Sequence, residues 1–269
     1  YAVAPTPISS SDLRPSIETV LHALMPHTVV VHLHAVDILA CMVRRNCEDE
    51  LRALIGSRLR WEIVDYFRPG AELALAVRMA LQRKPDATVI FLKNHGVVFG
   101  GSDVEEIRRT LGAVIQSLRE PIARELELGR RALASVAPAA IDGYVPIDDA
   151  QLHLLACDEH LFSRLKADWA LYPDHVVFLG AHANVYGSID EFGSAVAFVD
   201  ARPDLVFVRN IGVFVARSFD RTKVVQLRCY FDVLVRQPRN AKLVPLPDDQ
   251  IADLLARNDE KHRMRFSKA

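Results

Sequence analysis

Ile17, Val20, Leu21 and Leu24 recur at intervals of three and four, the spacing of one helix face. They predict a helix over 15–25, opened by Pro15 and ended by Pro26. From Thr28 the period gives way to an unbroken β-branched run, TVVVHLH, which predicts a buried strand over 28–34. ILACMVRRN then reads as a helix capped by Asp37. A charged helix near 48–56, a short strand in RWEIVDY, a turn at RPG (68–70) and the helical AELALAVRMALQRK follow. ATVIFLKN (87–94) predicts a second buried strand ending at His95-Gly96; VVFGG continues it, and Asp103 opens a long helix through about residue 134.

SVAPAAIDGYVPIDDA (135–150) has the composition of a connection. It places boundaries that give a domain over 1–138, a segment over 139–240, and a linker with a helical tail over 241–269. The second segment predicts a helix over 150–167, strands in DHVVFLG (174–180), AVAFVD (195–200) and LVFVRNIGVFVA (205–216), and a helix over 220–236. RQPRNAKLVPLPDDQ reads as the linker, and a last helix starts near Ile251. Strands alternating with helices in this way argue for an α/β layered fold.

The two halves echo each other. KPDATVIFLKNHGVVFGGSDVEEIRRTLGAVI (84–115) and RPDLVFVRNIGVFVARSFDRTKVVQLRCYFDVL (202–234) both run basic-Pro-Asp, apolar strand, basic-Asn-X-Gly-Val, apolar strand, Asp, helix. X is His95 in the first and Ile211 in the second. The expectation is a duplicated α/β segment whose second, degenerate copy lost a histidine and serves structure or assembly.

Composition narrows the function. Of 269 residues half are hydrophobic and a quarter charged, with a formal net charge of −1. That is globular, and it gives no electrostatic pull toward nucleic acid or a membrane surface. No apolar run approaches the ~18 residues of a membrane span. Cys41, Cys47, Cys157 and Cys229 lack CxxC spacing and read as reduced thiols of a cytoplasmic protein. The chain opens Tyr-Ala-Val without a Met, which reads as a fragment, a processed form or the ordered part of something longer. The expected partners are a small molecule and other copies of the chain.

Candidate chemistry sits at the strand ends. Side chains alternate along a strand, so His32 and His34 share a face and can reach one ion. His95 ends the other buried strand, before a glycine that lets a ligand approach. Three imidazoles would leave a fourth position open, as catalytic zinc sites require. Glu18 and His22, four apart on the preceding helix, share a face, and a carboxylate near a metal site is a general base. Spacing alone leaves the plainer readings open: strand-edge histidines, and an (i, i+4) surface pair. His175 and His182 lack a third ligand and read as ordinary loop or surface residues.

PSIETVLHALMPHTVVVHLHA, followed some sixty residues on by KNHGVVFGG, resembles the class II aldolase/adducin family. That resemblance implies an α/β/α three-layer sandwich around a mainly antiparallel sheet, often tetrameric. It makes His32, His34 and His95 the ligands of Zn²⁺ or another divalent transition metal, and Glu18 the acid/base residue. The implied activity is that of a metal-dependent aldehyde-lyase, cleaving or forming a C–C bond in a ketose or sugar phosphate through a metal-stabilised enediolate. A sugar-phosphate epimerase or dehydratase would use the same centre, as would a hydrolytic or decarboxylating metalloenzyme; a non-catalytic, adducin-like scaffold would keep only the fold. The chain departs from the family in lacking the Gly-Asn-X-Ser phosphate loop before Glu18. Tyr66, the nearest candidate for the aldolase proton donor, falls away from the family position, and packing suits it better.

Overall fold

The computed structural model describes residues 16–119, 141, 143–197 and 202–256. The chain divides into two compact units, Tyr1–Arg119 and Glu120–Ala269. The boundary expected at 138–139 lies outside the described residues; the helix expected through about 134 closes at Leu118, where Arg119 turns extended.

The first unit is built on a four-stranded sheet in the order β1-β4-β3-β2. Its strands are β1 (Val29–Leu33), β2 (Trp61–Val64), β3 (Val89–Leu92) and β4 (Gly96–Gly101). Two of the three pairings are antiparallel, and β2 runs parallel to β3. Alternation sorts the side chains into two cores. Val89, Phe91, Val97 and Phe99 pack with helices α2 (Val36–Met42), α3 (Cys47–Leu54) and α5 (Val104–Leu118). Ile90, Leu92 and Val98 turn the other way, onto α1 (Thr19–Leu24) and α4 (Ala71–Arg83). Both faces are therefore buried, which is why VIFL and VVF carry no polar alternation. Asp37 lies inside the first turn of α2, with Ala35 at the cap position, so its carboxylate meets the helix N-terminus from within rather than as the cap.

The second unit has strands β5 (Tyr144–Pro146), β6 (Val185–Tyr186), β7 (Leu205–Val208) and β8 (Gly212–Ala216), ordered β5-β8-β7-β6. Its helices are α6 (Leu154–Cys157), α7 (Glu159–Ala167), α8 (Pro173–Leu179), α9 (Ile189–Val196), α10 (Arg221–Leu234) and α11 (Asp248–Ala256). Ile141, Tyr144, Phe192, Val206, Val208 and Phe214 form one core cluster. The expected helix over 150–167 is broken into turns and two helices by Asp158, which caps α7 by accepting from the Leu161 amide at 2.9 Å.

Two strand expectations are corrected. DHVVFLG is helix α8: Pro173 occupies its first turn, and every residue from 173 to 179 is buried. A short, wholly apolar run buried on all sides carries no period to separate strand from helix. In AVAFVD, Ala195 and Val196 close helix α9, which Ser188 caps through the Glu191 amide; residues 198–200 lie outside the described residues. The segment 238–246 is held along the unit rather than free. The Arg164 guanidinium donates to the carbonyls of Pro238, Arg239 and Ala241, and Leu243 and Leu246 are buried.

The two sheets share strand order and register. Leu92 opposes Gly96 as Val208 opposes Gly212, each across a turn whose asparagine has positive φ (Asn94 53°, Asn210 58°). The Asn94 amide donates to Met42 O at 3.1 Å and the Asn210 amide to Ala156 O at 2.9 Å. Val98, opposite His32, corresponds to Phe214, opposite Pro146. By that register Pro146, Asp148 and Ile211 stand where the first unit has His32, His34 and His95.

Candidate metal centre

β1 and the β3–β4 turn end at the same edge of the first sheet, because Leu33 pairs with Val97 one residue beyond Gly96. The turn is pinned by three amides: Lys93 to Val64 O, Asn94 to Met42 O and His95 to Leu92 O, at 3.0–3.2 Å. Gly96 is required there. At φ +157° a Cβ would lie 2.4 Å from Leu33 O and 3.0 Å from the His34 ring. The close approach of β4 to the end of β1 brings His95 onto the face that His32 and His34 share.

The three rings form a near-equilateral triangle, with centroids 4.9, 5.0 and 5.0 Å apart and steeply inclined planes. Their ligand atoms all lie within 4.8 Å of one another. His34 Nε2 is 3.1 Å from His32 Nε2. Glu18, at the start of α1, completes the group: its Oε1 is 3.1 Å from His95 Nε2 and 3.5 Å from His32 Nε2. Two ligand atoms at 2.0–2.1 Å from a tetrahedral ion are separated by about 3.3 Å, so these spacings fit one small cation. Glu18 Oε1 is also buried without an aligned hydrogen bond, an orphaned acceptor facing the His32 and His95 nitrogens.

The surroundings fix the donor set. His32 Nδ1 lies 3.0 Å from Val97 O, where it can only donate, so Nε2 presents its lone pair to the cluster. Burial alone would raise the Glu18 pKa, but the His32 and His95 imidazoles outweigh it and hold the carboxyl far below the usual carboxylate range. Burial pushes His95 down, against the pull of Glu18, and keeps it neutral as a ligand must be. His22, exposed on α1, turns its ring edge toward His32 at 6.4 Å between centroids and lines the approach.

Glu18, His32, His34 and His95, singled out in the sequence, are thus assembled at one point. Tyr66 follows β2 at the same end of the sheet, on the edge strand opposite β1. The Val97 carbonyl was not to be found in the sequence, since its role depends on the β1–β4 register. His182 is exposed on the loop before β6, as expected, whereas His175 is buried outright rather than on a loop surface.

The model of the class II aldolase and adducin N-terminal domain matches residues 3–120. The chain is 31% identical over 115 residues to the protein named uncharacterized oxidoreductase YuxG, from Bacillus subtilis (strain 168). That match takes in 43% of this chain and 16% of the relative, so the chain spans under a fifth of that protein's length. No solved structure matches the chain. Over residues 3–120, where the Glu18 and three-histidine cluster lies, the chain is similar to the class II aldolase and adducin N-terminal domain.

Proposed function

We propose that the first unit is a metal-dependent lyase domain that breaks or forms a carbon–carbon bond in a ketose or its phosphate. One observation carries this reading: three imidazole nitrogens and a carboxylate oxygen converge at the spacing of ligands around one cation. His32, His34 and His95 would hold Zn²⁺ or a similar divalent ion, which when bound supplies Lewis acidity toward the substrate's carbonyl and hydroxyl oxygens. Val97 O keeps His32 in the tautomer that binds. Glu18, held ionised, takes the proton from the carbon beside the carbonyl and returns it in the reverse direction. Epimerisation and dehydration would begin with related steps at the same carboxylate.

We also read the two units as copies of one α/β/α layered ancestor. In the second copy Pro146, Asp148 and Ile211 replace the histidines, which leaves it a structural or assembly role in a cytoplasmic homo-oligomer. The match to a protein named as an oxidoreductase takes in 43% of this chain and 16% of that protein, so it assigns no reaction to the site.

The test is elemental analysis of the purified chain beside a His32→Ala, His34→Ala variant and Glu18→Gln. About one transition-metal ion per chain is expected, lost in the double variant and kept in Glu18→Gln. Glu18→Gln should slow exchange of the α-proton of a small ketose phosphate with solvent by roughly 10²-fold or more. A chain that binds no metal when zinc is supplied would overturn the lyase reading and favour an adducin-like binding domain.

A further inference from the structure

The end of the second sheet contains a histidine that the metal chemistry does not use. The Ile147 amide donates to Val213 O at 3.1 Å, which is half of a closely spaced antiparallel pair. The other half would be the Val213 amide donating to Ile147 O. Instead the Val213 amide donates to His153 Nδ1 at 3.0 Å, and His153 Nε2 lies 3.1 Å from Ile147 O. The imidazole is spliced into the ladder, accepting from one strand and donating to the other. Gly212 makes the room: a Cβ there would stand 2.6 Å from His153 Nδ1. In the first unit the equivalent residues, Leu33 and Val97, pair within the sheet itself.

We propose that His153 is an acid-sensitive latch that holds the end of β5 to β8 only while its ring is neutral. Nδ1 must offer a lone pair to the Val213 amide. A proton there sets two donors against each other, and the bridge between the strands is lost. Burial depresses the His153 pKa, against the Ile147 carbonyl and the Asp149 carboxylate, which favour the charged form. Asp149 comes from the loop before α6 and is itself paired with Arg228 of α10 at 3.1 Å, so its pull on the ring is shared. Because the folded pKa lies below the unfolded value near 6.5, the stability that the latch contributes is whole above 6.5 and declines below it, and the bridge itself opens as pH falls through the lower, folded pKa. The effect is independent of the metal reading, since it lies wholly in the second unit.

Histidine-labelled full-length chain, titrated from pH 8 to 5 by long-range ¹H–¹⁵N spectra, would read the ring directly. His153 should be the Nε2–H tautomer at neutral pH and titrate below the ordinary range. Protection of the Val213 amide against exchange, corrected for intrinsic rate, should fall in step, with a limiting slope of about tenfold per pH unit. In His153→Gln the amide oxygen and nitrogen can make the same two bonds without titrating. That variant should keep Val213 protected at pH 7.5 and remove the step. Should the wild-type chain unfold globally before the ring titrates, His153→Gln should unfold at lower pH than wild type. Protection of Val213 that ignores His153 protonation would overturn the proposal. So would equal acid midpoints for the two chains, or the other tautomer at neutral pH.

Discussion

His175 is sealed in the second unit among the rings of Trp169, Tyr230 and Tyr172, at centroid distances of 4.3, 4.4 and 5.5 Å. The Leu171 amide faces its Nδ1 at 3.5 Å, so the proton sits on Nε2, which is buried without a partner. Burial, with no compensating carboxylate, pushes its pKa down to about 3. The folded chain thus refuses a proton that the unfolded chain accepts near pH 6.5. Stability from this site is whole above 6.5 and declines as pH falls toward 3, by at most about 1.4 kcal/mol per pH unit. Between pH 7 and 5 urea unfolding should therefore show wild type losing about 2 kcal/mol more than His175→Phe. Parallel pH profiles for the two chains would refute this assignment. At the same scale, His32 and His34 were legible because a strand's period of two puts them on one face. The box around His175 was not, since Trp169, Tyr172 and Tyr230 meet only after α8 packs on α10.

The β3–β4 hairpin shows how an element converts backbone geometry into a site. Its turn spends an asparagine at positive φ and a glycine that a Cβ would drive into Leu33 O. Gly96→Ala should push the end of β1 away and separate His95 from His32 and His34. Zinc affinity should drop 10- to 100-fold, in the range of a lost supporting contact, as read by competition with a chromophoric chelator. Gly112→Ala is the control, because within α5 its Cβ meets nothing within 4 Å. It should leave zinc affinity unchanged and raise stability by roughly 0.5–1 kcal/mol. If both variants bind zinc like wild type, the close approach does not position the site. Asp103 and Asp220 mark helix starts legible in the sequence, accepting from the Glu106 amide at 2.8 Å and the Lys223 amide at 3.0 Å, whereas the Ser188 cap of α9 does not prevent its end from reading as a strand. α8, with no side-chain cap and every residue buried, reads as a strand. Its hydrophobicity answers to tertiary burial on all sides rather than to its own period.

At the scale of the whole molecule, one sheet topology occurs twice with opposite solutions at the same edge. In the first unit the strand ends carry three histidines facing Glu18. In the second, Pro146, Asp148 and Ile211 offer one carboxylate and no imidazole, and the His153 ring is turned inward onto Val213 N and Ile147 O. The shared Asn-X-Gly-Val, with Ile211 where the first unit has His95, could be read from the sequence, but Pro146 and Asp148 at the positions of His32 and His34 could not, because they follow from β5–β8 register. A ligand that binds the native state stabilises what it touches in proportion to ln(1 + [L]/Kd). Zinc added to the chain should accordingly slow amide exchange in β1, the β3–β4 turn and the start of α1, by about 100-fold at a hundred times its dissociation constant. Peptides from β5, β8 and α6 should exchange at the same rate with and without the ion. Slowing of equal size in both units would mean that the ion acts on the chain without distinguishing them, and the division of labour drawn from the register would fall.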